Sequence, residues 1–181
     1  MLNLEGTPIL HSERLILRPY RAEDAEAMFS TWASDPQVTK YLTWTPHESV
    51  EFTREVVDSW VKGYVNDDYL HWGITRDGVL LGDIAVVRYN ERSEWCELGY
   101  CLGHDYWGEG VMTEAVKSVV GYLFDIVGFH RVGICHAVKN PASGRVAEKA
   151  GFTFEGTARG CFKSAWGEYL DISCWGKVRE E

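Results

Sequence analysis

The sequence predicts a mixed α/β sheet domain, not a doubly wound one, on three observations. Helical patterns fill the first third, strand patterns then follow one another in a row, and the order changes afterwards to helix, strand, helix, strand, strand. Arg14–Tyr20 (RLILRPY) alternates apolar and polar side chains, as a half-buried strand does. Arg21–Ser34 reads as a helix with Ala25, Met28, Phe29 and Trp32 on one stripe, and Asp35-Pro36 opens a short helical turn through Tyr41. Ser49–Val65 places Val50, Val57, Val61 and Tyr64 at helical spacing. Strands follow over Tyr69–Thr75 and Val79–Tyr89, joined at Arg76-Asp77-Gly78, where Asp-Gly supplies the positive φ of a tight hairpin. A turn at Asn90–Ser93 leads into a strand over Glu94–Leu102. Val111–Val127 is a helix whose buried face is Met112, Val116, Val119, Leu123 and Val127. Arg131–Val138 is a strand, and Ser143–Ala150 a helix closed by Gly151. Phe152–Ala158 and Tyr169–Lys177 are the closing strands. The expectation is one domain over residues 1–181, core about 10–177, with about seven strands and four or so helices.

The bulk properties narrow the function. A chain of 181 residues with 45% hydrophobic and 25% charged side chains can build one sizeable core and is not disordered. A net charge of −9 argues against general affinity for nucleic acid or an anionic membrane, which want clustered Lys and Arg. The N-terminus lacks the basic-then-apolar pattern of a signal peptide, and no apolar run reaches the length of a membrane span. Cys96, Cys101, Cys135, Cys161 and Cys174 form no CxxC pair and are odd in number. Together these features predict a cytoplasmic protein with reduced, inert thiols and no metal site.

Function enters at Asp105–Ala115, DYWGEGVMTEA, where Gly108 and Gly110 stand directly before a helix. A helix N-terminus exposes unpaired N–H groups and partial positive charge, and glycines let a ligand approach the backbone closely. Such a corner is either a tight turn or a phosphate site. It is not a P-loop, because Val111 and Met112 follow Gly110 where Lys-Ser/Thr is required. Nor is it a dinucleotide fingerprint, because Thr113 occupies the third small position.

The stretches ELGYCLGHDYWGEGVMTEAV and NPASGRVAEKAGF together resemble the GNAT superfamily of acetyl-CoA-dependent N-acetyltransferases, above all its Rim-type ribosomal-protein N-terminal acetyltransferases. The opening SERLILRPYRAEDAEAMF resembles that group's first strand and helix, so the likeness runs from about Leu10 to Lys177. It implies a central, mostly antiparallel sheet that splays in the middle, between Glu94–Leu102 and Arg131–Val138. The superfamily's loop pattern, Gln/Arg-x-x-Gly-x-Gly/Ala, reads here as Asp105-Tyr106-Trp107-Gly108-Glu109-Gly110, with Asp in the first place. By the resemblance, the amides of Trp107, Gly108, Glu109, Gly110, Val111, Met112 and Thr113 hold the coenzyme A pyrophosphate. The pantetheine arm pairs with backbone at Tyr100, Cys101 and Leu102 and bonds to Asn140. Ser143 takes the place of the serine near the thiol sulfur and is the candidate proton donor, directly or through a water. Many superfamily members use a tyrosine four residues further on as general acid, where this chain has Ala147.

The implied reaction is direct attack of a neutral amine on the acetyl thioester. An α-amino group titrates at about 7.7–8.0 against about 10.4 for lysine, so roughly one α-amine in ten is neutral at pH 7. Backbone N–H groups of the splayed strand would stabilise the oxyanion. Glu97 is the candidate base; Trp95, Gly99 and Cys101 share its face, and Gly99 is expected to leave open space beside it. Glu48, Glu51 and Glu55 read as weaker alternatives, and His71, His104 and His136 as structural. Trp44 and Trp72 stand out from the otherwise core-forming tryptophans. Tyr41–Trp44 is expected to form one wall of the acceptor site and Arg159–Glu168, with Phe162 and Trp166, the other.

The leading acceptor is a protein N-terminal α-amine. Two alternatives stay open: a small amine such as an amino acid, polyamine or antibiotic, and a non-catalytic acyl-CoA-binding module. A monomer and a homodimer are both compatible with the sequence.

Overall fold

The computed structural model describes residues 1–179. The strands are β1 (Leu10–His11), β2 (Ile16–Arg18), β3 (His71–Arg76), β4 (Val79–Asn90), β5 (Trp95–Leu102), β6 (Arg131–Ala137), β7 (Thr153–Lys163) and β8 (Tyr169–Val178). The helices are α1 (Asp24–Met28), α2 (Pro36–Thr39), α3 (Val50–Gly63), α4 (Val111–Tyr122) and α5 (Pro141–Lys149). All eight strands join one sheet in the order β1-β2-β3-β4-β5-β6-β8-β7. Neighbours are antiparallel except β5 and β6, which run parallel.

Apolar periodicity sets the two layers. Val111, Val116, Val119 and Leu123 of α4 and its continuation pack with Ile74, Leu98 and Ile134 on one face of the sheet. Tyr20, Met28, Trp32, Val57 and Leu80 make a second cluster among α1–α3 and the other face. The stripe expected along α4 is buried throughout, including Val127 in the π-turn Leu123–Val127 that prolongs the helix. The stripe expected along α3 is not: its buried residues are Thr53 and Val57, and Val61 is 38% exposed. Trp72 is fully buried, its indole N–H donating to the Pro8 carbonyl at 2.7 Å. Trp44 packs against the α1–α3 cluster.

Two boundaries differ from expectation with a physical reason. The first strand shrinks to Ile16–Arg18 and gains the two-residue β1 as partner, making eight strands where about seven were expected. At the other end, Arg159–Glu168 is not a loop throughout. β7 continues to Lys163 as an exposed arm of a hairpin with β8. Its pairing register shifts at Phe154/Gly156 and at Ala158/Phe162, and Gly156 and Gly160 both adopt positive φ. Such irregularities erase the period-2 signal by which a strand is read.

The middle of the sheet opens. β5 and β6 are in register from Trp95–Arg131 to Leu98–Ile134, and there the pairing stops. Beyond it, Gly99–Leu102 pair only with Gly82–Ala85 of β4, and Cys135–Ala137 only with β8. The gap between these two strand halves positions everything that follows.

Candidate active site

A cavity of about 490 Å³ occupies the gap and the helix termini above it. Tyr100, Cys101 and Leu102 of β5 line it, with Trp107, Gly108 and Gly110 of the glycine corner and Val111, Met112 and Thr113 of the first turn of α4. Asn140, Ser143, Arg145 and Lys149 contribute from the start and inward side of α5, and Gln37 to Leu42 from the α2 region, Thr39 excepted. Of the residues expected around the coenzyme, Glu109 is the one not on this wall. Its carboxylate accepts instead from Arg76 Nη1 at 2.7 Å.

The glycine corner behaves as its sequence requires. Gly108 and Gly110 have φ of +82° and +80°, in the left-handed region where a side chain is strained. Gly110 is the N-cap of α4 and has no side-chain oxygen to offer the helix. Among the described residues, the N–H groups from Gly108 to Thr113 donate to no protein acceptor. Trp107 departs from the expectation: its amide already donates to the His104 carbonyl at 3.1 Å. The free donor row therefore begins at Gly108. The Trp107 indole N–H donates to the Leu102 carbonyl at 2.8 Å, which spends one backbone acceptor of the expected arm-binding stretch.

Ser143 lies across the gap from β5. The hydroxyls of Tyr100 and Ser143 are 2.8 Å apart, and either can be the donor. Burial pushes the Tyr100 phenol up to about 12, so it keeps its proton through neutral pH. Asn140 is the N-cap of α5, its Oδ1 accepting from the Ser143 amide at 3.4 Å. That contact fixes the helix start that carries Ser143, and it leaves the Asn140 amide nitrogen without a protein partner among the described residues. The sequence marked Tyr100 for its backbone; its hydroxyl contact with Ser143 was missed, because no local pattern links two residues 43 positions apart.

Glu97 is not on the cavity wall. It sits on the opposite face of β5, before the gap begins, and its Oε2 accepts from Arg88 Nη2 at 2.5 Å and Nε at 3.1 Å. The open space expected at Gly99 is filled: a Cβ there would lie 2.7 Å from Val87 Cγ1. Glu48, Glu51 and Glu55 are exposed and line no part of the cavity. His104 packs edge-on against Trp107, and His136 Nε2 accepts from Trp175 Nε1 at 3.0 Å. Tyr41 and Leu42 line the cavity, whereas Phe162 and Trp166 do not.

A buried polar cluster lies behind the β5 wall. Asp83, opposite Cys101 on β4, accepts from Cys101 Sγ at 3.1 Å and from the Tyr20 hydroxyl at 3.3 Å, and stands 3.3 Å from His71 Nε2. Burial first, and the Asp83 charge second, push the Tyr20 phenol and the Cys101 thiol well up, so both stay protonated donors. Cys101 is thus a wall residue with an occupied thiol, not a nucleophile.

The charge of the cavity is opposite to that of the chain. Lys40, Lys139, Arg145 and Lys149 line it and no carboxylate does, in a protein with net charge −9. Together with the free N–H row this suits a polyanionic ligand. Among the described residues, no three His, Cys, Asp or Glu side chains converge on a metal site.

Comparison with known proteins agrees with this geometry. Residues 14–153 match the acetyltransferase (GNAT) domain. The chain is 33% identical over 154 residues to the uncharacterized N-acetyltransferase YoaA of Bacillus subtilis, covering 84% of this chain and 86% of that protein. It is 28% identical over 136 residues to the ribosomal-protein-serine acetyltransferase of Escherichia coli, covering 72% and 73%. Its fold is similar to RimL, a ribosomal L7/L12 α-N-protein acetyltransferase solved in complex with coenzyme A, with TM-score 0.84 at 21% identity over 94% of this chain and 98% of that one. The class is that of the acetyl-CoA-dependent N-acyltransferases. Within it, the chain belongs to the GNAT acetyltransferase family.

Proposed function

We propose that the protein acetylates the N-terminal α-amine of a protein, of the ribosomal-protein type, by direct attack of the amine on acetyl-CoA. The observation that carries this reading is the cavity itself, in which the free N–H row from Gly108 to Thr113 leads into the β5–β6 gap beside Tyr100 and Ser143. The names of two relatives, a ribosomal-protein-serine acetyltransferase and RimL, support the acceptor class.

In this reading Gly108, Gly110, Val111, Met112 and Thr113 hold the pyrophosphate through their amides, with the Glu109 amide among them. The free edge at Tyr100, Cys101 and Leu102 holds the pantetheine arm, and the Asn140 amide nitrogen bonds to it. The amine nitrogen forms a bond to the thioester carbonyl carbon, and the carbon–sulfur bond breaks. Ser143 donates a proton to the departing thiolate and regains one from solvent through Tyr100, while the amine's proton passes through water to Glu97, which returns it to solvent. Glu97 acts on the acceptor side, on the face of β5 away from α4 and α5, where its carboxylate is oriented by Arg88. An α-amine that is about one-tenth neutral at pH 7 asks little of a base. No helix among the described residues is long and apolar enough to cross a membrane, and we place the enzyme in the cytoplasm with its ribosomal acceptor.

The test is free-thiol release from acetyl-CoA with peptides of free N-terminus, beside amino acids, polyamines and aminoglycosides. Turnover with Ser- or Ala-starting peptides, lowered by Ser143→Ala and Glu97→Gln, is the expected result. Turnover with a small amine alone replaces the acceptor. Coenzyme A binding without any turnover replaces the enzyme by a binding module.

A further inference from the structure

We propose that Cys135 and Cys174 form a reversible dithiol–disulfide site at the edge of the β5–β6 gap, oxidised by a low-molecular-weight disulfide. The site depends on the sheet alone, and not on the acceptor amine or on the coenzyme.

Spacing along the chain pairs none of the cysteines, but the sheet sets these two face to face. Cys135 is the first residue of β6 past its last β5 pair, Leu98–Ile134. It lies directly opposite Cys174 of β8, in an unbroken run of pairs from Arg131–Val178 to Ala137–Ile172. Hydrogen bonds at the two ends of that run fix the kind of pair. The Arg179 amide donates to the His130 carbonyl at 2.8 Å, and the Val138 amide to the Asp171 carbonyl at 2.9 Å. Both pairs continue the same register, at even positions of the β6 segment. Hydrogen-bonded pairs alternate with unbonded ones in an antiparallel ladder, so Cys135–Cys174, at an odd position, is an unbonded pair. Such pairs hold their Cα atoms about 4.5 Å apart, with the side chains closer than in bonded pairs. A disulfide takes Cα atoms about 4.4–6.8 Å apart, so this pair can close without a strand moving.

Surroundings divide the two sulfurs. Both residues are half-buried. On its other side Cys174 is paired with Gly156 of β7, where a side chain would meet nothing within 4 Å, so that neighbour leaves Cys174 uncovered. The Cys135 thiol faces the Glu97 carboxylate as well as Cys174; burial first, and the Glu97 charge second, push it well up, so it stays protonated. Cys174 is therefore the sulfur that reacts first. Its thiolate attacks the external disulfide, forms a mixed disulfide and releases one thiolate. The Cys135 sulfur then gives its proton to water, attacks the Cys174 sulfur and expels the second thiolate. Two protein thiols are oxidised and one external disulfide is reduced to two thiols, which take up the two protons. The other cysteines have no such partner: Cys96 is buried, Cys101 donates to Asp83, and Cys161 stands exposed on the irregular part of β7. In a reducing compartment the pair rests as the dithiol and closes under oxidising conditions.

Treating the folded full chain with oxidised glutathione, then blocking free thiols and mapping peptides by mass, tests this. The expected result is a peptide pair joined through Cys135 and Cys174, lighter by two hydrogens than the reduced peptides and separated again by dithiothreitol. Cys135→Ser should trap glutathione on Cys174, because nothing is left to expel it. Cys174→Ser should leave Cys135 a free thiol. Glutathione on Cys161 alone, with Cys135 and Cys174 both blocked as free thiols, overturns the proposal. A Cys135–Cys174 link that forms in denaturant but not in the folded chain overturns it as well, since the sheet register would then play no part. All of these readings come from the unmodified protein first, so a serine variant that folds poorly does not decide the outcome.

Discussion

Helices α2, α3 and α5 begin under a side-chain oxygen: Asp35 on the Gln37 amide, Ser49 on the Phe52 amide, Asn140 on the Ser143 amide. Helix α1 has no such oxygen, but its Asp24 and Ala25 amides donate to the Arg21 and Ala22 carbonyls; α4 begins at Gly110 with neither a side-chain oxygen nor such a carbonyl. For folding alone the α4 arrangement is slightly inferior, since a glycine in place of a capping side chain costs roughly a few tenths of a kcal/mol. The capped termini satisfy their donors within the chain. The uncapped one keeps its donors, together with the dipole's positive end, for something from outside. The gap between β5 and β6 repeats the contrast in strand form: Trp95–Leu98 are paired on both sides, and Gly99–Leu102 on one.

The largest effect should come from making α4 resemble its neighbours. Gly110→Asp puts a carboxylate where the pyrophosphate would lie and should weaken coenzyme A binding by at least about a hundredfold, read by calorimetry. The left-handed φ at that position should cost about 1–2 kcal/mol, a melting shift of a few degrees. Undiminished affinity would mean that the α4 terminus does not hold the phosphates.

Ser143→Ala should lower kcat by about a hundredfold while coenzyme affinity stays within about threefold, because the cap oxygen belongs to Asn140. Tyr100→Phe should lower kcat by about tenfold, removing one donor and leaving Ser143 in place. It also has a pH signature. The phenol's folded value is about 12 against an ordinary 10. Its stabilising contribution is therefore full below pH 10 and lost as pH rises toward 12. Denaturant melts between pH 9 and 12 should fall less steeply for Tyr100→Phe than for the unmodified protein.

The smallest and sharpest comparison is at Asn140. Asn140→Asp keeps the cap and should melt like the unmodified protein, while losing the amide donor and weakening coenzyme binding. Asn140→Ala should lose both, with about 1 kcal/mol of stability gone. Equal coenzyme affinity in all three would reduce Asn140 to a cap.

How much of this could be read from the chain divides along the same line. Local features were legible: the φ-demanding glycines 108 and 110, the apolar stripe of α4, the Asp77-Gly78 hairpin and the α5 stop at Gly151 each leave a signature within a few residues. The family likeness located the strand gap, Ser143 and Asn140. Features assembled from distant segments were not legible. Asp83 gathers Tyr20, His71 and Cys101 from three other segments of the chain, and the cationic lining comes from residues scattered between Lys40 and Lys149. Gly99 shows the limit within a single strand: the space that a missing side chain suggests is taken by Val87 from the next one. The length of β7 was hidden because its glycines break the alternation by which strands are recognised.

Trp107 lies on the cavity wall with its indole tethered to the Leu102 carbonyl and nearly half of its surface in water. It is therefore a built-in optical reporter of occupancy. Filling the cavity dries the ring, so its emission should move to shorter wavelength, over the background of the other tryptophans, which the Trp107→Phe variant isolates. A fluorescence titration that loses this response in Trp107→Phe would follow ligand entry in real time without a label.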